Sequence, residues 1–430
     1  MKQTGNLLLE ELASKDSLGL VTFNHDVEEP LKLTPMAASS KQRAEAAIER
    51  FRAGGATFLS GGLFAGVQQL LDYDAKDSEA SNSVRTCLFM TDGRATDGLV
   101  TSNEILPVLQ SMLDQSGISL HTFGYGSNHN ADLLLDIANA GSGSYYFVED
   151  VDDIKGAFGD CLGGMLSVVA QNIELSIEAR NGATITTVHH KSAVTVEEGQ
   201  QYTVSFSDVY GEEQRDVLCS VILPAGRPPV QDMTSPGAAV VECKLRYMDV
   251  IAQRPATAEA RASVMRPPGP ALSPLQQTAA YGPPNVRLEL QSLRLRVADA
   301  LESARNKADS ERDLSGARSI ISQMQAVLSE ADQRLRTANA AAAAAGSGPV
   351  AEADLALLPL LAQDLAECLD GMKDSRSYYS GGTSHRMHSM SHGHSMQRSM
   401  SDPGRASAYR TSAKAARAER FSDPGAAYRP

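Results

Sequence analysis

The sequence predicts an α/β protein: a doubly wound, Rossmann-like sheet at the amino-terminal end, then an antiparallel β-sandwich, a helical hairpin and a disordered tail. Three observations predict it. Through about residue 170, short apolar runs alternate with helical patterns, the rhythm of βα units. From Gln171 to about Arg254 the period shifts to two, as in Ile173-Glu-Leu-Ser-Ile-Glu and Tyr202-Thr-Val-Ser-Phe, which suits strands with one buried face. After Val286 apolar residues return at helical spacing.

Taken in order, strands are expected at 18–23, 86–91, 118–124 and 144–148, with helices near 7–13, 41–52, 61–72, 101–115, 130–140 and 151–170. The run Cys87 to Met90 carries no charge, as expected of a strand buried on both faces of a parallel sheet. Residues 255–285 are rich in Pro and Ala (Pro267-Pro268-Gly-Pro, Gly282-Pro283-Pro284) and read as a linker. Residues 286–374 read as an amphipathic helical hairpin, with Leu290, Leu293 and Val297 on one arm and Ile320, Ile321, Met324 and Leu328 at the same spacing further on. Beyond Ser375 the chain is Ser, His, Arg, Gly and Met with little periodicity, and disorder is expected over 375–430. The expected division is therefore 1–170, 171–254, 255–285, 286–374 and 375–430.

Composition limits the function classes. The 430 residues exceed a typical domain of roughly 100 to 200 residues, so two or three folded units are expected. A net charge of −13 argues against a general nucleic-acid binder, although residues 372–430 carry ten Lys or Arg against four Asp or Glu. Five cysteines (Cys87, Cys161, Cys219, Cys243, Cys368) are odd in number and widely spaced, which suits a reducing cytoplasmic location better than a disulfide framework or zinc site. Neither a membrane span nor a signal peptide is read from the chain.

Two segments carry the chemistry. Arg85-Thr-Cys-Leu-Phe-Met-Thr-Asp92-Gly93 ends a strand with a carboxylate at the carboxyl edge of the sheet, where open α/β sheets bind ligands, and Gly93 allows a sharp turn behind it. Gly54-Gly-Ala-Thr57-Phe-Leu-Ser-Gly-Gly62 sets Thr57 in a glycine-rich loop at the start of a helix marked by Leu63, Val67, Leu70 and Leu71. A hydroxyl and a carboxylate are hard oxygen donors of the kind Mg²⁺ takes. Each residue also has a plain structural reading: Asp92 as the cap of its turn, Thr57 as a helix cap. Asp97, in Thr96-Asp-Gly98, reads as a turn residue.

The pair resembles the second and third loops of the metal-ion-dependent adhesion site of von Willebrand factor A (vWA) domains. The resemblance extends through Leu120-His-Thr-Phe-Gly-Tyr-Gly126, Asn128-His-Asn-Ala-Asp132, Gly141-Ser-Gly-Ser-Tyr-Tyr-Phe-Val148 and Ala157-Phe-Gly-Asp-Cys161, and on through Phe206-Ser-Asp-Val-Tyr210 to Ser391-His-Gly-His-Ser-Met-Gln397-Arg398. In this order the motifs are most similar to plant-type proteins that join a RING finger to a vWA domain, and more distantly to inter-alpha-trypsin inhibitor heavy chains. The resemblance implies a protein partner at the carboxyl edge and a metal held by Thr57 and Asp92 together with an Asp-x-Ser-x-Ser loop. No such pentapeptide precedes Thr57. By comparison with the family, the opening strand, its metal loop and the RING finger are absent, so the metal site is expected to be incomplete and Mg²⁺ weak, with water in about four of six positions.

No Walker loop, zincin helix or supported Cys/His nucleophile is found, and the loop at 54–62 lacks the Lys that would reach a phosphate, so catalysis is not expected. The leading expectation is a protein-binding module, with the substrate-recognition part of a RING-type ubiquitin ligase as its alternative. In the tail, His385, His388, His392 and His394 suggest only adventitious metal binding. Arg398-Ser-Met-Ser401-Asp-Pro403 recurs loosely at Arg420-Phe-Ser422-Asp-Pro424, making Ser401 and Ser422 candidate phosphorylation sites for a phosphoserine-binding partner such as a 14-3-3 protein.

Overall fold

A computed structural model describes residues 1–430 apart from 53, 75–83, 115, 150–152, 225–238, 265–284, 345–354, 380–381, 399–408 and 423–430. The first layer holds α1 (Lys2–Glu11), β1 (Ser17–Phe23), β2 (Val27–Pro35), α2 (Ala38–Glu49), α3 (Leu59–Asp74), β3 (Arg85–Thr91), α4 (Ser102–Leu113), β4 (Ile118–Tyr125), α5 (Ala131–Ala140), β5 (Ser142–Val148) and α6 (Asp153–Met165). Strands β3, β4 and β5 form a parallel sheet in that order, with Cys87 opposite Leu120 and Phe123 opposite Tyr146. Seven of the eight residues of the central strand β4 are buried, as its position between two neighbours and two helical faces requires.

One face of this sheet carries Leu59, Leu63 and Val67 from α3, Ile105 and Leu109 from α4, and Leu134 and Ile137 from α5. The other face carries Phe158 and Leu162 from α6 with Leu8 from α1. The antiparallel hairpin of β1 and β2 is a separate sheet. Helix α3 nevertheless covers both sheets. A Cβ added at its Gly62 would come 2.3 Å from Phe23 of β1, its Gly66 faces Cys87 of β3, and the rings of Phe23 and Phe89 stack at 5.2 Å. Among the described residues β1 pairs only with β2 and β3 only with β4, so each keeps one open edge beneath a shared helix.

The antiparallel region runs from β6 (Val168–Ala179) through β7 (Thr184–His189), β8 (Ala193–Glu197), β9 (Gln201–Tyr210), β10 (Leu218–Ile222) and β11 (Ala239–Asp249) to β12 (Arg254–Ser263). Five strands order as β12-β11-β6-β9-β8, and the β10-β7 pair packs over them through Ile177, Ile185, Tyr202, Val204 and Val241. Strand β12 occupies the start of the segment expected as a linker, because its alternating Arg, Thr, Glu and Arg residues fit a solvated edge strand. The Pro-rich remainder lies outside the described residues.

Instead of a two-helix hairpin, the described residues of 286–371 include three helices: α7 (Val286–Asp309), α8 (Leu314–Ala344) and α9 (Leu357–Gly371). The first break falls at Ser310–Asp313, where Arg312 takes φ +58°. Their seam buries Leu293, Val297, Leu301, Ile321, Leu328, Leu361 and Leu365.

The described residues of the tail correct the expectation of disorder there. Helices α10 (Ser375–Tyr379), α11 (Thr383–Met396) and α12 (Ser412–Ser422) return to the body of the protein. Helix α12 packs along α6, where Gly163 and Gly164 permit a close approach: a Cβ on Gly163 would lie 2.7 Å from the Lys414 Cα. Helix α11 lies between α7 and β5. Its docking relies on polar contacts, including Ser391 Oγ donating to the Ala298 carbonyl at 2.9 Å and a Ser384 to Asp309 hydrogen bond at 2.7 Å.

Candidate functional site at the carboxyl edge

Strand β3 delivers Thr91 buried and Asp92 exposed at the carboxyl end of the parallel sheet. The turn behind it is set by Thr91, whose Oγ1 accepts from the Gly93 amide at 3.3 Å. Gly93 then brings the chain against the second loop, since a Cβ at this position would stand 3.1 Å from the Thr57 hydroxyl. Thr57 is half-buried and its backbone is pinned on both sides: its amide donates to Thr96 Oγ1 at 2.8 Å, and the Thr96 amide donates to the Thr57 carbonyl at 3.0 Å. The neighbouring Phe58 amide donates to the Asn24 carbonyl at the end of β1, 2.6 Å away. The β1, β3 and α3 ends are thus tied into one edge.

Around this core, Leu99 N donates to Ser60 Oγ at 3.0 Å, and Gly98 takes φ +69° with the Phe58 ring where a side chain would otherwise stand. Asp97 accepts from the Gly98 amide at 2.8 Å, the turn role read from its sequence.

The structure therefore brings the Thr57 and Asp92 loops together. Their donors, one hydroxyl and one exposed carboxylate, do not fit tight Mg²⁺ binding, which demands near-octahedral oxygen coordination. Among the described residues no group of three or more His, Cys, Asp or Glu side chains could hold a metal ion. None of the five cysteines is in a disulfide, and burial pushes the thiols of Cys87 and Cys161 up to about 12.

The tail histidines belong elsewhere. His385 stacks on Phe147, His388 Nε2 stands 3.3 Å from Asp132 Oδ1, His392 is buried, and His394 bonds to Asp364 at 2.9 Å and Tyr409 at 3.0 Å. Ser401 lies outside the described residues, as does the side chain of Ser422, the last residue of α12.

Sequence reasoning missed a buried ionic junction behind the sheet. Asp160 of α6 meets Lys414 at 3.1 Å and Arg410 at 3.3 Å, and accepts from Tyr146 at 3.2 Å. Arg398 is buried over the Tyr210 ring and donates to the carbonyls of Ser142, Gly143 and Asp208. One signal was visible: Asp160 is the single charge between Ala157 and Ala170.

Residues 1–160 match the von Willebrand factor type A domain family model. The structure is similar to a von Willebrand factor type A protein from Catenulispora acidiphila, with a TM-score of 0.60 at 15% identity, over 77% of this chain and 74% of that one. In sequence, the chain is 28% identical over 173 residues to the uncharacterized protein YfbK of Escherichia coli (strain K12), covering 40% of this chain and 29% of that protein. It is also 24% identical over 235 residues to the E3 ubiquitin-protein ligase WAV3 of Arabidopsis thaliana, covering 52% of this chain and 28% of WAV3. The chain thus spans less than a third of the length of either curated relative. Among the described residues no helix is long and apolar enough to cross a membrane.

Proposed function

We propose that the vWA-type domain is a protein-binding module that engages its partner at the carboxyl edge formed by Asn24, Thr57, Asp92 and Thr96, without depending on a tightly held metal. The observation that carries this reading is the close approach of Gly93 to the Thr57 hydroxyl, which brings the loop of the exposed Asp92 against a second loop held by hydrogen bonds. Such pinning lowers the entropic cost of binding, because the loops are ordered before the partner arrives. Any Mg²⁺ there would keep most of its water, with Thr57 and Asp92 as the only protein donors named. Quantitative affinity purification tests the reading. Asp92→Ala and Thr57→Val should each reduce recovery of the same partners at least several-fold, whereas Thr195→Ala on edge strand β8 should not; equal recovery by all variants would refute it.

A second reading rests on the similarity to WAV3: the chain acts as the substrate-recognition part of a RING-type ubiquitin ligase. Ubiquitin transfer to partners recovered through the carboxyl edge should then require a RING supplied separately and fall with Asp92→Ala. Transfer unaffected by that substitution would leave only the binding reading.

A further inference from the structure

Helix α11 is an unusual helix to bury. It contains four histidines, of which His385, His388 and His392 share one face while His394 pairs with Asp364, and its apolar side chains are Met387, Met390 and Met396. A helix with so little amphipathic pattern does not form on its own; its tertiary contacts must hold it. Those contacts include ring against ring. The His385 ring lies edge-on to His129 at 4.9 Å and stacks on Phe147 at 5.2 Å, while His129 Nε2 is hydrogen-bonded to the Tyr145 hydroxyl at 2.6 Å.

We infer that α11 is a protonation-operated clasp: docked against β5, α5 and α7 while His129, His385, His388 and His392 are neutral, and released when they take up protons. The geometry requires this direction. Two imidazolium rings cannot share the His129–His385 contact without strong repulsion, and His392 is 3% exposed with no hydrogen-bond partner at Nδ1.

The charges facing the cluster are mixed. Asp132 of α5 lies beside His388, and Asp309 of α7 faces His385; both favour protonation. Arg305 of α7 sits on Asp132 at 3.0 Å and disfavours it, as do Lys191 near His388 and His392, Arg94 near His129, and Arg215 and Arg398 near His392. Glu149 is engaged by Arg386 at 2.5 Å. Burial outweighs the carboxylates: His129 and His388 are lowered to about 4, His385 is lowered, and His392 falls well below the ordinary histidine range. Because the docked state holds these rings below their free value, stability of docking is intact above about pH 6.5 and is lost as pH falls toward 4, on the order of tenfold or more by pH 5 for each of His129 and His388.

Hydrogen exchange of the full chain, corrected for the pH dependence of intrinsic exchange, tests the clasp. Peptides covering 383–396 should lose protection at least tenfold between pH 7.5 and 5.0, while peptides from β11 and the α7–α8 seam keep theirs. A quadruple variant His129→Gln, His385→Gln, His388→Gln, His392→Gln should keep its own pH 7.5 level of α11 protection at pH 5.0. If that variant is undocked at pH 7.5, the wild-type profile alone decides: the clasp requires a midpoint between pH 6.5 and 4.5 with more than one proton taken up. Unchanged α11 protection at pH 5.0, a midpoint below 4.5 where carboxylates begin to titrate, or simultaneous loss in β11 and the α7–α8 seam would overturn it.

Discussion

The Lys414 ammonium of α12 stands 3.1 Å from the Asp160 carboxylate of α6, with the two side chains only 2% and 1% exposed. It also lies 4.8 Å from the centre of the Tyr210 ring. The carboxyl-terminal helix is therefore anchored to the vWA-type layer by a charge pair withdrawn from water, and such a pair tolerates loss of one member poorly.

Lys414→Met should detach α12 without altering the parallel sheet. Removing one partner takes a countercharge from a carboxylate withdrawn from water, and a destabilisation of about 3 kcal/mol is expected. Urea unfolding would measure it, and hydrogen exchange should place the loss in residues 412–422.

Gly163→Ala attacks the same contact without touching a charge. The added methyl meets the backbone of Ala413 and Lys414, so α12 must shift outward, at a cost of about 1 to 3 kcal/mol. Thermal melting should show a lower Tm, and limited proteolysis should cut sooner at Arg410 or Arg417.

Acid sensitivity of the core should trace in part to His121. This side chain is 1% exposed on β4, and its Nδ1 accepts from the Ser144 amide at 3.0 Å. Burial, then Arg398 and Lys414, lower it to about 3. Its native value lies below the free value, so its contribution is complete above about pH 6.5 and declines as pH falls toward 3, reaching a loss of about 3 kcal/mol near pH 4. Denaturant midpoints of His121→Asn should fall less steeply with pH across that window than those of the wild type.

Mg²⁺ titrated calorimetrically should give no sub-millimolar binding, because Thr57 and Asp92 supply two donors. The heat trace of Asp92→Ala should overlay that of the wild type.

Most of the first layer was legible because period and turn chemistry agree there. Strands β3, β4 and β5 and helices α3 to α5 fall within three residues of their expected limits. Strand β2 was missed because Val27-Glu-Glu-Pro-Leu-Lys-Leu-Thr-Pro35 carries prolines and charges that argue against a central strand; as the outer member of a hairpin it tolerates them. The α7–α8 turn has no Gly or Pro to mark it until Gly316, so two helices read as one. The tail was misread for a deeper reason. Composition predicts disorder when apolar burial is too small to offset chain entropy, but α11 and α12 dock through Arg398, Lys414, Ser391 and the histidines, whose partners are hundreds of residues away or on other elements. At the candidate site, the sequence placed Thr57 and Asp92 correctly on their loops. It held no sign of the Thr96 hydroxyl that fixes Thr57.

Site-specific photo-cross-linking tests the central claim most directly. A photoreactive residue at Asp92 or Thr96 should cross-link a discrete set of proteins, and the same residue at Thr195 on β8 or Glu259 on β12 should not. Partners captured equally well from the β8 and β12 positions, with none from the carboxyl edge, would contradict it.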